Sequence, residues 1–439
     1  MILNTQTWMG LIGCKNWKSV NLKFMQRRAF VVTLGSYGDV YPFLKISAIL
    51  KELGFEVIFF ANGYFERDAK SCALSFQSIS PASDYEELLK KARPPHLFEL
   101  GDLLAEYLVL RPLEETYVKI AQLQPSSDDV LVIHPLALGG RLIADSYHVP
   151  TIGCQLSPYG IPSVYDPAHL LPALDLSWLP HWLLRFGIRQ AYSYIDRRIL
   201  SSLNAFCRSI GVPEIVSVYP WVLNCDTVLG LFPDWFASQA PDWPKQILTC
   251  NFPLFEEAQS VKIPFELNEF LDDGDPPVIF TQGTPNAQAE AFFEAAAEVC
   301  NTLGLRGLFL APKLQSEVTQ CASHVIYCPM APLELLIPRC KAVVHHGGIG
   351  TSARALHGGR PQVIVPWGVD QFDNARRIEK LGVGISISLR FFFRKRLKLT
   401  LERVLEEYSF KENAVRIADR MRLEQQEEII KTKLRKILF

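Results

Sequence analysis

One run constrains the fold of this chain more than any other: His345-His346-Gly347-Gly348-Ile349-Gly350-Thr351. An apolar stretch, 341–344, leads into it and a helical pattern, 351–357, leads out. A strand that turns through glycines into a helix belongs to an α/β architecture, where each helix carries the chain back over a parallel sheet. The turn also has chemical consequences. The first N–H groups of a helix lack partners within it, and the helix dipole makes that end positive. Glycines let an anion come close to the backbone, so the turn is a cradle for phosphate. His345, His346 and Thr351 add side-chain donors. Downstream, Asp370-Gln371 follows the apolar strand 362–365 and opens another helical pattern. An acid beside an amide can hold hydroxyls by accepting and donating hydrogen bonds, which suits a phosphate-linked sugar.

The same alternation runs through the rest of the chain. Residues 30–34, 56–60, 130–133 and 151–155 read as buried parallel strands, with helices at 42–53, 64–72 and 138–147 between them. The stretch 225–231 is expected to close this first sheet. Proline-rich turns follow, and 241–264 is expected to link two domains. Strands are predicted again at 278–280, 307–310 and 325–327, a helix at 287–300, and two terminal helices at 398–408 and 411–434. A chain of 439 residues exceeds a single ordinary core. The expected fold is therefore α/β, with two doubly wound, Rossmann-like domains facing across a cleft. The first spans 29–240 and the second 265–400, with helices of 401–439 returning to the first. Residues 1–28 are expected to form a disordered extension.

The segment 156–218 departs from the alternation. Prolines interrupt it, and a helical stretch, 182–210, follows. Its apolar run 176–184 contains Trp178 and Trp182. Core packing is the expectation there, with an apolar acceptor pocket or a membrane-surface contact as the other uses.

Composition excludes several classes. A net charge of −1 argues against a nucleic-acid partner, which needs a basic surface. Ten cysteines with no C-x-x-C pair suit reduced thiols in a cytoplasm rather than a disulfide framework or a zinc site. No run of eighteen apolar residues suggests a transmembrane helix.

A second glycine turn, Gly35-Ser36-Tyr37-Gly38-Asp39, follows the first strand. Asp39 taken alone reads as a helix cap; beside the turn at 345–351 it reads as a base at the ligand-binding edge of a parallel sheet, and the two roles can coexist. A third, Thr281-Gln282-Gly283-Thr284, ends the first strand of the second half.

From about 325 to 384 the chain resembles the nucleotide-sugar-binding segment of the family 1 glycosyltransferases, enzymes of the GT-B fold. The turn at 35–39 is similar to the N-terminal motif of sterol, lipid and antibiotic glycosyltransferases. Segments 232–244, 251–255, 280–283 and 370–375 resemble those of the bacterial rhamnosyltransferases that act on lipid hydroxyls. The resemblance implies that Asp39 is the catalytic base. It implies that Ser36, Gly283, Thr284, His345, His346, Gly347, Gly348, Gly350 and Thr351 surround the donor diphosphate. Asp370 and Gln371 would hold the donor sugar, and Tyr327 and Met330 lie in the nucleobase region. Tyr37 stands where relatives have arginine, and Arg354 where plant relatives hold the ribose with an acid. The implied activity is metal-independent, inverting transfer of a hexose or deoxyhexose from a UDP- or dTDP-sugar to a lipophilic hydroxyl acceptor. No cofactor is implied beyond that co-substrate. A nucleotide-sugar epimerase of similar fold and an inactive nucleotide-sugar-binding protein fit the same pattern.

Overall fold

The computed structural model describes residues 27–91, 97–169, 175–255, 263–283, 289–310, 319–329, 331–388 and 393–439. The expected extension at 1–28 lies outside them except for its last two residues. Two seven-stranded sheets organise the chain. The first runs β3 (Ser75–Ser80), β2 (Glu56–Asn62), β1 (Arg28–Val32), β4 (Val130–Ile133), β5 (Thr151–Gln155), β6 (Thr227–Gly230), β7 (Ile247–Thr249), all parallel. The second runs β10 (Thr319–Ala322), β11 (Val325–Cys328), β9 (Gly307–Leu310), β8 (Val278–Thr281), β12 (Ala342–His345), β13 (Gln362–Ile364), β14 (Gly384–Ser386). Its edge strand β10 is antiparallel to β11, and the other pairs are parallel. The two-sheet, doubly wound α/β architecture is the one the alternation predicted.

Central strands were legible because both their faces are covered. Phe30 and Val32 pack into one buried cluster, Ala29 and Val31 into the other. Such strands read as continuous apolar runs. Two edge strands carry no such signal. β3 contains Ser75, Gln77, Ser78 and Ser80, and half-buried positions alternate poorly. β7 has only three residues and falls inside the segment expected to be linker. The first sheet therefore closes at β7 rather than at 225–231.

Six helices build the site and its surroundings: α1 (Tyr37–Glu52), α2 (His181–Ile210), α3 (Ile349–His357), α4 (Gln371–Lys380), α5 (Tyr408–Leu423) and α6 (Gln426–Leu438). α1 begins at Tyr37, five residues before the expected start, because Ser36 forms its N-cap. Pro42 lies inside the helix. The expected single helix 411–434 is broken at Gln425, whose φ of +43° turns the chain. That turn sends α6 back to the first sheet. Ile430 and Leu434 are buried against its core, while Lys45 pairs with Glu427 and Lys431 with Glu52, each at 2.6 Å.

Strand order also fixes where ligands can sit. In open parallel sheets the loops diverge where the order reverses, leaving a crevice at the carboxyl ends. The first sheet reverses between β1 and β4, the second between β8 and β12. The turns after β1, β8 and β12 are the three glycine turns of the sequence. The loop after β4 begins with His134, a residue that no sequence motif singles out.

Candidate functional site

At the first switch point Asp39 occupies the third position of α1. It is not the N-cap; Ser36 is. The two form a reciprocal capping box: Ser36 N and Oγ donate to Asp39 Oδ2 at 2.7 and 2.9 Å. Gly35, at φ +125°, makes this possible, since a Cβ there would lie 2.3 Å from the same carboxylate oxygen. Oδ1 points the other way. It lies 3.6 Å from His134 Nε2, longer than a hydrogen bond but close enough for a strong field. His134 Nδ1 accepts from Leu136 N at 3.2 Å, which assigns the ring proton to Nε2, facing Asp39. The signal for His134 was its place, immediately after a buried strand at the carboxyl edge of the sheet.

This geometry corrects one expectation. Ser36 has both its donors committed to Asp39, so it is not placed to hold a diphosphate. Tyr37, standing where relatives have arginine, packs edge-on against Tyr41, Tyr64 and Phe65 and hydrogen-bonds Tyr64 at 3.3 Å.

At the second switch point the N-cap of α3 is Gly348, with no side-chain cap. The first helical hydrogen bond runs from Ser352 N to Gly348 O, which leaves the N–H groups of Ile349, Gly350 and Thr351 without helical partners. Thr351 is half-buried at the third helical position. His346 lies between the two glycine turns: a Cβ on Gly283 or Gly348 would come within 2.7 or 2.5 Å of its ring. Burial pushes its pKa down to about 4, so the ring is neutral at pH 7. Its Nδ1 has no hydrogen-bond partner among the described residues. A buried polar atom without a partner costs free energy and is satisfied when a ligand supplies one.

His345 does not share this position. It is 0% exposed, its Nε2 pairs with Gln362 Oε1 at 2.9 Å, and its Nδ1 accepts from Gly347 N at 3.1 Å. Burial, then the neighbouring His346, holds its pKa at about 3. His345 therefore builds the turn from behind, contrary to its expected contact with the diphosphate. Gly347, at φ +91°, has room for no Cβ beside Ile364.

Asp370 and Gln371 begin α4 beside this turn. Asp370 does not cap the helix with its side chain. Its Oδ2 accepts from Asn374 Nδ2 at 2.8 Å, and the same amide group donates to Gly347 O at 3.0 Å. Asn374, unremarkable in the sequence except as part of the resemblance, thus ties Asp370 to the glycine turn before α3. Burial lifts the Asp370 pKa to about 7; the Asn374 bond opposes this and the charges of Asp39 and Asp373 add to it. Asp39 and Asp370 therefore feel one another across the cleft, although they come from different sheets. Gln371 has a local role that the sequence did not reveal: its Oε1 accepts from Trp367 N at 3.0 Å, leaving only the amide N–H groups for a ligand.

Tyr327 is half-buried. Its ring packs edge-on against Phe309 at 5.0 Å and beside Phe293 at 6.2 Å, within the second domain's core. Thr284 and Met330 lie outside the described residues. Arg354 donates to Phe255 O at 2.9 Å and lies 3.8 Å from Glu334. It so joins α3 to the segment after β7.

The starts of α1 and α3 face a common cavity of 30 Å³, lined by Tyr37, Gly38, Ile349 and Gly350 among others. A larger groove of 910 Å³ runs past Pro332, Glu334 and Arg354. Ion pairs close the opposite side. Asp166, from the loop after β5, meets Arg377 at 2.8 Å and Arg376 at 3.2 Å. His169 N donates to Asp373 at 3.3 Å. Burial alone would lift the Asp166 carboxyl, but the adjacent Arg377 charge holds it below the ordinary value. The arrangement offers a carboxylate base on one side and an open anion cradle on the other. Among the described residues no cluster of His, Cys, Asp or Glu could hold a metal ion.

Comparison with known proteins agrees with this geometry. Residues 309–436 match the family model "Erythromycin biosynthesis protein CIII-like, C-terminal domain". The sterol 3-beta-glucosyltransferase of Saccharomyces cerevisiae (strain YJM789) is 23% identical over 393 residues, 81% of this chain and 31% of that protein. The chain thus spans about a third of the yeast sterol glucosyltransferases that it matches. The O-mycaminosyltylonolide 6-deoxyallosyltransferase of Streptomyces fradiae is 27% identical over 372 residues, 81% of this chain and 84% of its own. Among solved structures, the glycotransferase of kitacinnamycin superposes with a TM-score of 0.72 at 16% identity, covering 94% of this chain and all of its own. Glycosyltransferase VinC in complex with DTDP gives 0.66 at 18% identity, covering 94% and 98%. The chain has the fold of these solved glycosyltransferases, and in its facing glycine turns and its relatives it is similar to the family 1 glycosyltransferases of GT-B fold.

Proposed function

We propose that this protein transfers a hexose or deoxyhexose from a nucleoside-diphosphate sugar to a hydroxyl of a lipophilic small-molecule or lipid acceptor, with inversion at the anomeric carbon. The observation that carries the reading is the pairing of two helix starts across one cleft, one holding a carboxylate and the other open to an anion. Asp39 takes the proton of the acceptor hydroxyl as its oxygen forms the new bond to the anomeric carbon. The bond from that carbon to the diphosphate oxygen breaks, and its electron pair leaves with the diphosphate. General-base assistance of this kind contributes about 10²–10⁴-fold. His134, with Nε2–H towards Oδ1, orients the carboxylate.

The diphosphate gains charge as it leaves. The N–H groups at the start of α3 are aimed where that charge develops, each good donor contributing about 3 kcal/mol in such holes. His346 supplies one further donor. Asp370 accepts from sugar hydroxyls, and the Gln371 amide donates to them. The helix start takes the role that a cation has elsewhere, so transfer proceeds without a metal, and EDTA leaves it unchanged.

DTDP bound to a structural relative supports a thymidine nucleotide, while sterol 3-beta-glucosyltransferases among the sequence relatives support a glucosyl group and a sterol-like acceptor. Cytoplasmic location belongs to this proposal. The eight cysteines whose side chains are described are free thiols, and no helix among the described residues is long and apolar enough to cross a membrane. The deciding experiment incubates the protein with dTDP- and UDP-sugars and measures nucleotide release with and without a sterol, macrolide or hydroxylated lipid. Release that requires the acceptor, with a product of inverted anomeric configuration by NMR, supports the proposal. Acceptor-independent change of the sugar would make the protein an epimerase, and binding without turnover would make it an inactive binder.

A further inference from the structure

The aromatic stretch that leads into α2 has no part in the site above. Core packing was the expectation for it, but Trp178 and Trp182 are 75% and 70% exposed and Phe186 56%. Trp182 and Phe186 are one turn apart and share a face of α2. Arg185, Arg189 and Arg197 are exposed on the same side. No exposed residue between 176 and 200 is acidic. Asp196, the acid within that span, is turned to accept from Val218 N at 2.8 Å. Leu184 of α2 is buried, and further along the helix Ile199, Leu203 and Cys207 pack with Leu113, Leu138 and Leu142 of the first domain.

We propose that this end of α2 docks on an anionic lipid bilayer. Indole and phenyl rings settle at the headgroup level, and arginines beside them meet lipid phosphates. The charge pattern chooses this occupant over a second copy of the chain. A two-fold contact through this face would set Arg185, Arg189 and Arg197 against their own copies, with Asp175 the exposed carboxylate at the edge of the patch, so the face keeps a net positive charge. The patch is also continuous with the cleft. Tyr165 touches His181 at 4.6 Å between ring centres, and Tyr192 of α2 stacks on Tyr219 at 5.0 Å. Tyr219 in turn donates its hydroxyl proton to Gly160 O, in the loop whose Asp166 grips Arg376 and Arg377 of α4. A lipophilic acceptor leaving the bilayer would therefore enter beside the sugar-side helix. This last point rests on the transfer reading; the docking itself does not.

Co-sedimentation with vesicles tests it on the full chain. Vesicles of phosphatidylglycerol mixed with phosphatidylcholine should retain the protein, shift its tryptophan emission to the blue and release it at high salt. Vesicles of phosphatidylcholine alone should retain it about tenfold less. Trp178→Ser/Trp182→Ser/Phe186→Ser and, separately, Arg185→Glu/Arg189→Glu should each lower partition about tenfold or more. Circular dichroism and turnover of a water-soluble acceptor should be unchanged in both. Absence of wild-type binding, or full retention by both variants, would overturn the proposal. So would a wild-type dimer that these substitutions convert to monomer, because the face would then join proteins. Vesicle binding without any sugar transfer would leave the docking standing and sink the proposed activity instead.

Discussion

The two helix starts that face each other across the cleft are built alike and finished differently. Each follows a strand at a switch point, turns through a positive-φ glycine, and opens a helix: Gly35 into α1, Gly347 into α3. In α1 the N-cap is Ser36 and the third residue Asp39, and the two satisfy each other. The anion site is filled from within. In α3 the same positions hold Gly348 and Thr351, and no side chain closes the end. Similar backbone turns thus give a helix start closed by its own carboxylate in one place and a helix start with no side-chain cap in the other. In the proposed function, what separates a base from a phosphate cradle is the chemistry of two residues, N-cap and third position.

The comparison is broken most severely by Asp39→Asn. The amide keeps the shape of the capping residue but cannot take a proton, so transfer should fall about 10²–10⁴-fold with donor binding retained. Wild-type turnover in this variant would reduce Asp39 to a helix cap.

Thr351→Asp makes the second helix start imitate the first. A carboxylate at the third position fits the helix dipole, so thermal stability should hold or rise slightly, by about 0.3–1 kcal/mol. The same charge should repel the diphosphate and weaken nucleoside-diphosphate affinity by roughly tenfold or more, since a lost charge-assisted contact costs about 1.5–3 kcal/mol. Calorimetry showing unchanged affinity would move the diphosphate away from α3.

Asp370→Asn asks whether the link between the sides matters. Removing an acceptor from sugar hydroxyls costs about 1–3 kcal/mol, so transfer should drop roughly 5- to 150-fold while bare nucleotide binds as before. The same variant has a pH signature. With a folded pKa of about 7, above its unfolded value, Asp370 binds its proton more tightly in the folded state. Stability from that proton is complete below the unfolded pKa and lost as pH rises through 7. The melting temperature of Asp370→Asn should therefore exceed wild type more at pH 8 than at pH 5. A constant offset would deny that Asp370 is raised.

His346→Ala should be the mildest. The ring is neutral at pH 7, and a neutral hydrogen bond contributes about 0.5–1.5 kcal/mol, so diphosphate affinity should fall only about 2- to 10-fold. A hundredfold loss would mean that the bound diphosphate protonates the ring. His345 and His346 also predict acid sensitivity. Their folded pKa values, about 3 and 4, lie below the unfolded value, so stability should fall as pH drops from the unfolded histidine range towards 4. A flat melting profile between pH 6.5 and 4 would contradict their neutral burial.

Sequence by itself determined the alternation, both sheets' central strands, the three glycine turns, and Asp39, His346, Thr351 and Asp370 as residues at helix starts. Those are local facts: apolar runs of strand length, glycines at turns, polar residues where a helix opens. Tertiary structure decided which of those side chains remain available. Ser36 is consumed by Asp39, His345 by Gln362 and Gly347, Gln371 in part by Trp367, and Tyr327 by Phe309. His134 and Asn374 entered the site only when strand order brought distant loops together. Edge strands β3 and β7 were hidden because one partner strand leaves half their surface wet. The exposure of Trp178 and Trp182 was equally out of reach, since an apolar run says that burial is favourable but not what is there to bury it against. Hydrogen-bond satisfaction and burial depend on residues far apart in the chain, and periodicity carries no record of them.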